Sequence, residues 1–343
     1  MSSKPLTEIK TDQECYLKEN INLPDGTVVD VKIQLQDENN NDLAIINDTL
    51  TISSKKVSLP IQVENLAKQE CVVVKYIERL VVSIDVNHDK IYQETEQTIV
   101  AVNNEMDEAW LTVSQGQLTF DSEGNDIDGN LYFSRKPHIP HQSDGTVIGN
   151  SGITLGRGLD IGGRSESDVV AIFNQAASQC RKISKELSDW LKDGAGKTKQ
   201  KAYDYWLTLD ANVPADKQNI TRKMQHVLFE NMYEDYVADT KNLTTKKDVC
   251  DAYLGGKQID WDALPQNVKD VLVDLRYVGV YTGSEDARGN TRAKVIPAVY
   301  KDQQEGLSGE GSHFYSVMND SSLWKDDFGV DPNRFDNRIS ELE

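Results

Sequence analysis

Apolar positions along this chain follow two different periods. From about residue 13 to 105 they alternate with polar ones or run in short blocks. Val29-Asp-Val-Lys-Ile-Gln-Leu35 alternates. Asp42–Ile46, Leu50–Ser53, Ser58–Val63 and Cys71–Ile77 are short apolar or alternating runs. Turn residues separate them at Pro24–Gly26, Glu38–Asp42 and Ser53–Lys56. Short strands at this spacing predict an all-β, sandwich-like domain over 1–108. From about 165 the period becomes helical. Ser165–Asp168 opens a run ending at Phe173, with acidic residues in the first turn. Further helices are expected at 182–191, 200–209, 220–238, 268–278 and 293–303. The one from Ile220 places Met224, Val227, Leu228, Met232 and Val237 on one face. The second domain, 109–343, therefore reads as α+β and mainly helical.

Between the two textures, residues 110–164 are rich in Gly, Asp, Asn and Pro. A segment this long inside a compact chain tends to carry function. In Ser151–Ser165, Ile153, Leu155, Leu159 and Ile161 are apolar, with Thr154 and Asp160 between them. Glycines 152, 156, 158, 162 and 163 break the run. The pattern predicts a sharply turned β ribbon aiming a hydroxyl and a carboxylate at a common point. Glu123 follows the apolar run Leu118–Phe120 at an expected helix end. A glutamic acid held against an apolar wall can donate a proton near neutral pH. An acid, a separate carboxylate and a water-holding hydroxyl are the parts of glycoside hydrolysis. The same residues also suit plain structural roles: Asp160 as a turn cap, Glu123 as a solvated helix end.

Phe120–Gly124, Tyr132–Arg135 with His138 and Pro140, and Gly152–Asp160 resemble the active-site segments of pesticin-type muramidases. Those enzymes are relatives of the phage lysozyme fold found in bacteriocins and interbacterial toxins. Leu264–Gly279 is similar to the central buried helix of phage lysozymes. The resemblance covers about 111–340. It implies Glu123 as general acid, Asp160 as the base that activates water, and Thr154 as the hydroxyl that positions the water. It implies cleavage of the β-1,4 bond between N-acetylmuramic acid and N-acetylglucosamine. The implied geometry is inverting, with carboxyl groups about 6.5–9.5 Å apart. The stretch from Glu123 to Thr154 is longer than in those relatives, which leaves Glu105 and Glu108 as alternative acids. Peptidoglycan is the implied substrate. Alternatives are a phage-type endolysin, a glycosidase on chitin-like or chitosan-like polymers, and a non-catalytic wall-binding protein.

Charge narrows the partners. The chain has 37 basic and 56 acidic residues, a net charge of −19. So acidic a surface disfavours nucleic acid and anionic lipid. Residues 1–108 hold 20 acidic and 10 basic residues, about half of that excess. Arg135, His138, Arg157 and Arg164 cluster near the ribbon, where they would either meet an anionic glycan or pair locally. No run approaches the roughly 20 apolar residues of a membrane span. The polar N-terminus lacks a secretory h-region. These features lead to the expectation of cytoplasmic synthesis, then delivery to a target bacterium's periplasm by a type VI-like secretion system. The N-terminal domain would be the carrier or targeting module, and a cognate immunity protein would be a partner.

Other motifs are weaker. Asp85, Asn87, Asp89 and Glu96 match the ligand spacing of a Ca²⁺ loop, although Lys90 replaces the turn glycine. A polar turn reads equally from that segment, and no other cofactor is expected. Gly194–Thr198 lacks the first glycine of a P-loop, since residue 191 is Leu191. His138 and His141 have no cysteine nearby to complete a zinc site. The four cysteines form no CxxC pair and read as reduced thiols. Trp190, Tyr203 and Trp206 fall at helical spacing, a pattern that serves either a core or a sugar platform.

Overall fold

The structure, a computed structural model, describes residues 8–21, 23–87, 89, 91–92, 97–130, 132–142 and 144–343. The chain divides into two compact units. One is Met1–Leu111 with Thr221–Lys223, and the other is Thr112–Ile220 with Met224–Glu343. The expected boundary at 108/109 lies three residues before this division. It also missed the return of 221–223 to the first unit, because three residues at the entry to a long helix carry no sequence mark.

The first unit is built on a β-sheet. Its elements are β1 (Glu8–Lys10), β2 (Cys15–Asn20), β3 (Val28–Gln36), β4 (Asp42–Thr51), β5 (Lys56–Ile61), α1 (Val63–Gln69), β6 (Arg79–Asp85) and β7 (Gln97–Asn103). Five strands pair in the order β1-β7-β6-β3-β4, with β1 parallel to β7 and the rest antiparallel. Strands β2 and β5 pair separately. Alternation decides the core: Val31, Ile33 and Leu35 sit opposite Ile84, Val82 and Leu80, all buried. Leu59 and Ile61 of β5 and Val63 and Ala67 of α1 complete that core.

Two expectations are corrected here. Asp42–Ile46 and the start of Leu50–Ser53 belong to one strand ending at Thr51, because Asn47, Asp48 and Thr49 continue the ladder against Lys32, Val31 and Asp30. The polar residues there mark a solvated strand, and not a turn. Cys71–Ile77 is no strand: Cys71 has φ 55° and Val74–Tyr76 is a single 3-10 turn. Before it, Val63 and Ala67, one helical turn apart, face the core from α1, so the unit is not all-β. In the expected Ca²⁺ loop, the Asp85 carboxylate accepts from the Asn87 backbone, and the Asn87 side chain bonds Asp89 both ways. These are the bonds of a polar turn, and Glu96 lies outside the described residues. No cluster of metal-ligating side chains occurs among the described residues.

The second unit is mainly helical. It holds α2 (Gln117–Ser122), β8 (Thr154–Leu155), β9 (Leu159–Asp160), α3 (Glu166–Ala176), α4 (Lys185–Gly194), α5 (Lys199–Trp206) and α6 (Leu209–Asn212). Then come α7 (Arg222–Thr245), α8 (Lys247–Leu254), α9 (Gln266–Tyr277), α10 (Arg292–Glu305), α11 (His313–Met318) and α12 (Pro332–Leu342). Ser165 and Asp168 form a reciprocal capping box that starts α3. The apolar face of the ribbon, Ile153, Leu155, Leu159 and Ile161, packs with Phe173, Leu187, Leu191 and Met224 in one core. Helix α9 buries Val271, Leu272, Val273, Asp274 and Leu275 in succession and packs against α2 and α12. Among the described residues no helix is long and apolar enough to cross a membrane. No disulfide forms among the described residues, and the Cys180 thiol donates to Ala176 O at 3.0 Å.

Candidate active site

Strands β8 and β9 form the ribbon that the alternation predicted. Their side chains separate by parity. Ile153, Leu155, Leu159 and Ile161 go to the core, while Thr154 and Asp160 are direct cross-strand partners on the other face. Asp160 is fastened by main chain: Oδ2 accepts from Gly152 N at 3.0 Å and Oδ1 from Gly162 N at 2.6 Å. Glycine is required at both anchors. A Cβ on Gly152 would strike the Gly162 backbone and come within 2.6 Å of Oδ1 of Asp160. Asp160 thus caps the turn and stays half-exposed. A carboxylate has about four acceptor positions, so two N–H bonds leave it able to take a proton from water. Thr154 is buried, and among the described residues its hydroxyl has only a long 3.4 Å contact with Gly152 O.

Glu123 is the C-cap of α2, as the apolar run before it suggested. Its setting corrects the expected apolar wall. Oε1 accepts from Arg334 Nη1 of α12 at 2.6 Å. Oε2 lies 3.0 Å from where a Cβ of Gly158 would stand, at the turn of the ribbon. Gly158 has φ 88°, and such a Cβ would also strike the Tyr277 hydroxyl. That hydroxyl donates to Arg157 O at 2.7 Å, which ties α9 to the same turn. Burial, then the nearby Glu123 charge, pushes the Tyr277 hydroxyl pKa up. The helix-end carboxylate and the ribbon carrying Thr154 and Asp160 therefore meet at one place.

Behind Glu123 lies a network that the sequence reading missed. Arg334 also grips Asp274 of α9, through Nη2 at 2.5 Å and Nε at 3.1 Å. Arg338, one helical turn on, donates from Nε to Oδ2 of Asp274 at 2.6 Å, and the Arg338 and Asp274 side chains are fully buried. The Thr119 hydroxyl donates to Asp274 at 3.0 Å. Burial opposes the Asp274 charge, yet Arg338 and Arg334 together hold its carboxyl below the usual range. Burial likewise opposes the Arg334 charge, but Asp274 and Glu123 push its pKa above the ordinary value. Two signals pointed to this helix: Asp331 before Pro332 is a strong start, and arginines four apart share a face.

The expected substrate-binding residues fare differently. Arg157 is turned inward. It donates to Phe120 O at 3.0 Å and to Gly124 O, and stacks 4.4 Å over the Phe120 ring. Arg135 is half-buried, paired with Asp126 and bonded to Ile220 O at 3.1 Å. Both guanidiniums hold loops, so the expectation that they face an anionic glycan is corrected. Their acceptors, mostly main-chain carbonyls, have no sequence signature. His138 exchanges backbone bonds with Thr154, of 2.9 and 2.7 Å. Burial lowers its imidazole pKa. Arg164 is half-exposed, with Nε 3.2 Å from Asp160 O. These two adjoin the ribbon. The alternative acids Glu105 and Glu108 belong to the first unit, where Glu105 accepts from the Thr221 hydroxyl at 2.7 Å.

The family model of a domain of unknown function, DUF8812, matches residues 116–339. The match begins just before α2 and ends within α12, so it contains Glu123, the ribbon, Asp274, Arg334 and Arg338. No curated protein matches the chain.

Proposed function

The chain belongs to the DUF8812 family, and from that premise we propose that its second unit is a lysozyme-like peptidoglycan hydrolase. The observation that carries this reading is the meeting of three groups at one hairpin. Thr154 and Asp160 are cross-strand partners, and Glu123 Oε2 lies beside Gly158 at the turn.

In this mechanism Glu123 gives the proton on Oε2 to the glycosidic oxygen as the anomeric C–O bond breaks. Water held by Thr154 attacks the anomeric carbon from the opposite face and yields its proton to Asp160. Configuration inverts. Glu123 is left as a carboxylate and Asp160 as an acid, and proton exchange with solvent resets both. Arg334 faces Oε1, the oxygen turned away from the ribbon, and so stabilises the negative charge that develops on Glu123 as the proton leaves. Asp274 and Arg338 fix Arg334 and act as positioning residues. The bond cleaved is the β-1,4 link between N-acetylmuramic acid and N-acetylglucosamine. The first unit, with its own sheet and core, serves as carrier or targeting module for an antibacterial effector that acts in a target bacterium's periplasm.

Turbidity clearance of purified peptidoglycan tests this. Glu123→Gln and Asp160→Asn are each expected to lose about 10²–10⁴-fold in rate while keeping the wild-type circular dichroism. Clearance at the wild-type rate by folded Glu123→Gln would overturn the assignment.

A further inference from the structure

Four of the five tryptophans, Trp110, Trp190, Trp261 and Trp324, are buried, whereas Trp206 is half-exposed. Helix α5 carries Tyr203, Tyr205 and Trp206. Tyr205 stacks on buried Trp190 at 5.0 Å and half-exposed Trp206 also packs against that core, with Tyr203 beside it three residues earlier. Tyr203 and Trp206 form a triangle with His141, with ring centroids 5.1, 5.4 and 5.7 Å apart. The indole is fixed in place, because Nε1 donates to Pro137 O at 3.0 Å. Beside it is a hollow of about 100 Å³ lined by Lys136, Trp206, Leu207, Leu209 and Asp210. Leu207 is 61% exposed, and Lys136 and Asp210 stand 3.7 Å apart at the rim.

We infer that this hollow is a saccharide subsite that holds one N-acetylated hexosamine of the glycan strand, next to the bond that is cut. A pyranose ring presents an apolar C–H face ringed by hydroxyl groups. An indole floor with one ammonium and one carboxylate at its edge matches both parts. The segments that carry the hollow adjoin the ribbon at two places. Thr198, before the first residue of α5, bridges Gly152, and the Pro137–His138 segment that anchors Trp206 bridges Thr154. From Thr198, α5 carries Trp206 about 12 Å along its axis. This inference rests on the reading of the ribbon as a glycan cleft.

Two measurements on the full chain separate the two ideas. The first is an NMR titration with chitotetraose that follows the indole N–H signal absent from Trp206→Phe. That signal is expected to shift with mM or tighter affinity, and Tyr203→Ala is expected to weaken binding about tenfold. The second is hydrolysis of soluble glycan strands. Trp206→Ala should raise KM about tenfold with kcat within about twofold, and Trp206→Phe should restore most of the loss. An unmoved indole signal, or an unchanged KM in Trp206→Ala, overturns the subsite. Hydrolysis without the shift would leave the enzyme reading standing and remove the subsite. A shift without hydrolysis would do the reverse.

Discussion

The two carboxylates of the candidate site are held in opposite ways. Asp160 is tied by backbone N–H groups two and eight residues away, within one hairpin. Glu123 is tied by a guanidinium 211 residues away, itself anchored on a buried helix. The first arrangement is local and depends on glycine. The second is global and depends on charges buried in the helical core. Local fastening forms wherever the hairpin forms. The distant kind exists only once α2, α9 and α12 have packed together.

The difference should appear most strongly in Asp274→Asn. It leaves two buried guanidiniums facing an amide, which costs about 3–5 kcal/mol in urea unfolding at neutral pH. The cost is also pH-dependent. The native Asp274 pKa is depressed, so its contribution is present above the ordinary carboxylate pKa of about 3.9 and is lost as pH falls through the native value. The gap between wild type and variant should therefore narrow in acid. A constant gap would mean that Asp274 acts by shape and not by charge.

The local fastening should break at Gly152→Ala. Its methyl meets the Gly162 backbone, which cannot move as a flexible side chain would. About 1–3 kcal/mol is expected from overpacking, with a larger loss of peptidoglycan clearance because Asp160 is displaced. Gly163→Ala is the matched control, since a Cβ there meets nothing within 4 Å, and it should leave both unfolding and clearance unchanged.

Arg334→Lys sharpens the contrast at smaller cost. It keeps a positive charge but cannot serve Asp274 and Glu123 together as the fork does. A kcat loss of about 1.5–3 kcal/mol, the scale of one charged hydrogen bond, is expected with little change in KM. Steady-state kinetics on soluble glycan strands would check it.

The same contrast explains what could be read in advance. The ribbon was legible because Ile153, Leu155, Leu159 and Ile161 alternate with Thr154 and Asp160 over nine residues, and glycines mark its turns. Glu123 was legible as a helix end, but its neighbour was not. Nothing within reach of residue 123 in sequence announces Arg334, and Asp274 reads as one more polar residue on an apolar helix. Arg135 and Arg157 looked like substrate ligands because charge is visible in a sequence, whereas the carbonyls that hold them are not. In the first unit, the strand β4 read as two separate runs because the pairing of Asn47–Thr49 with Asp30–Lys32 is a property of the sheet.

The most direct test is mass spectrometry of the products released from purified peptidoglycan by the full chain. Muropeptides with reducing N-acetylmuramic acid ends, carrying one ¹⁸O atom when the digestion is run in labelled water, are expected from wild type and absent from Glu123→Gln. Release of 1,6-anhydro ends, or of no soluble glycan at all by the folded wild-type protein, would contradict hydrolysis at this site.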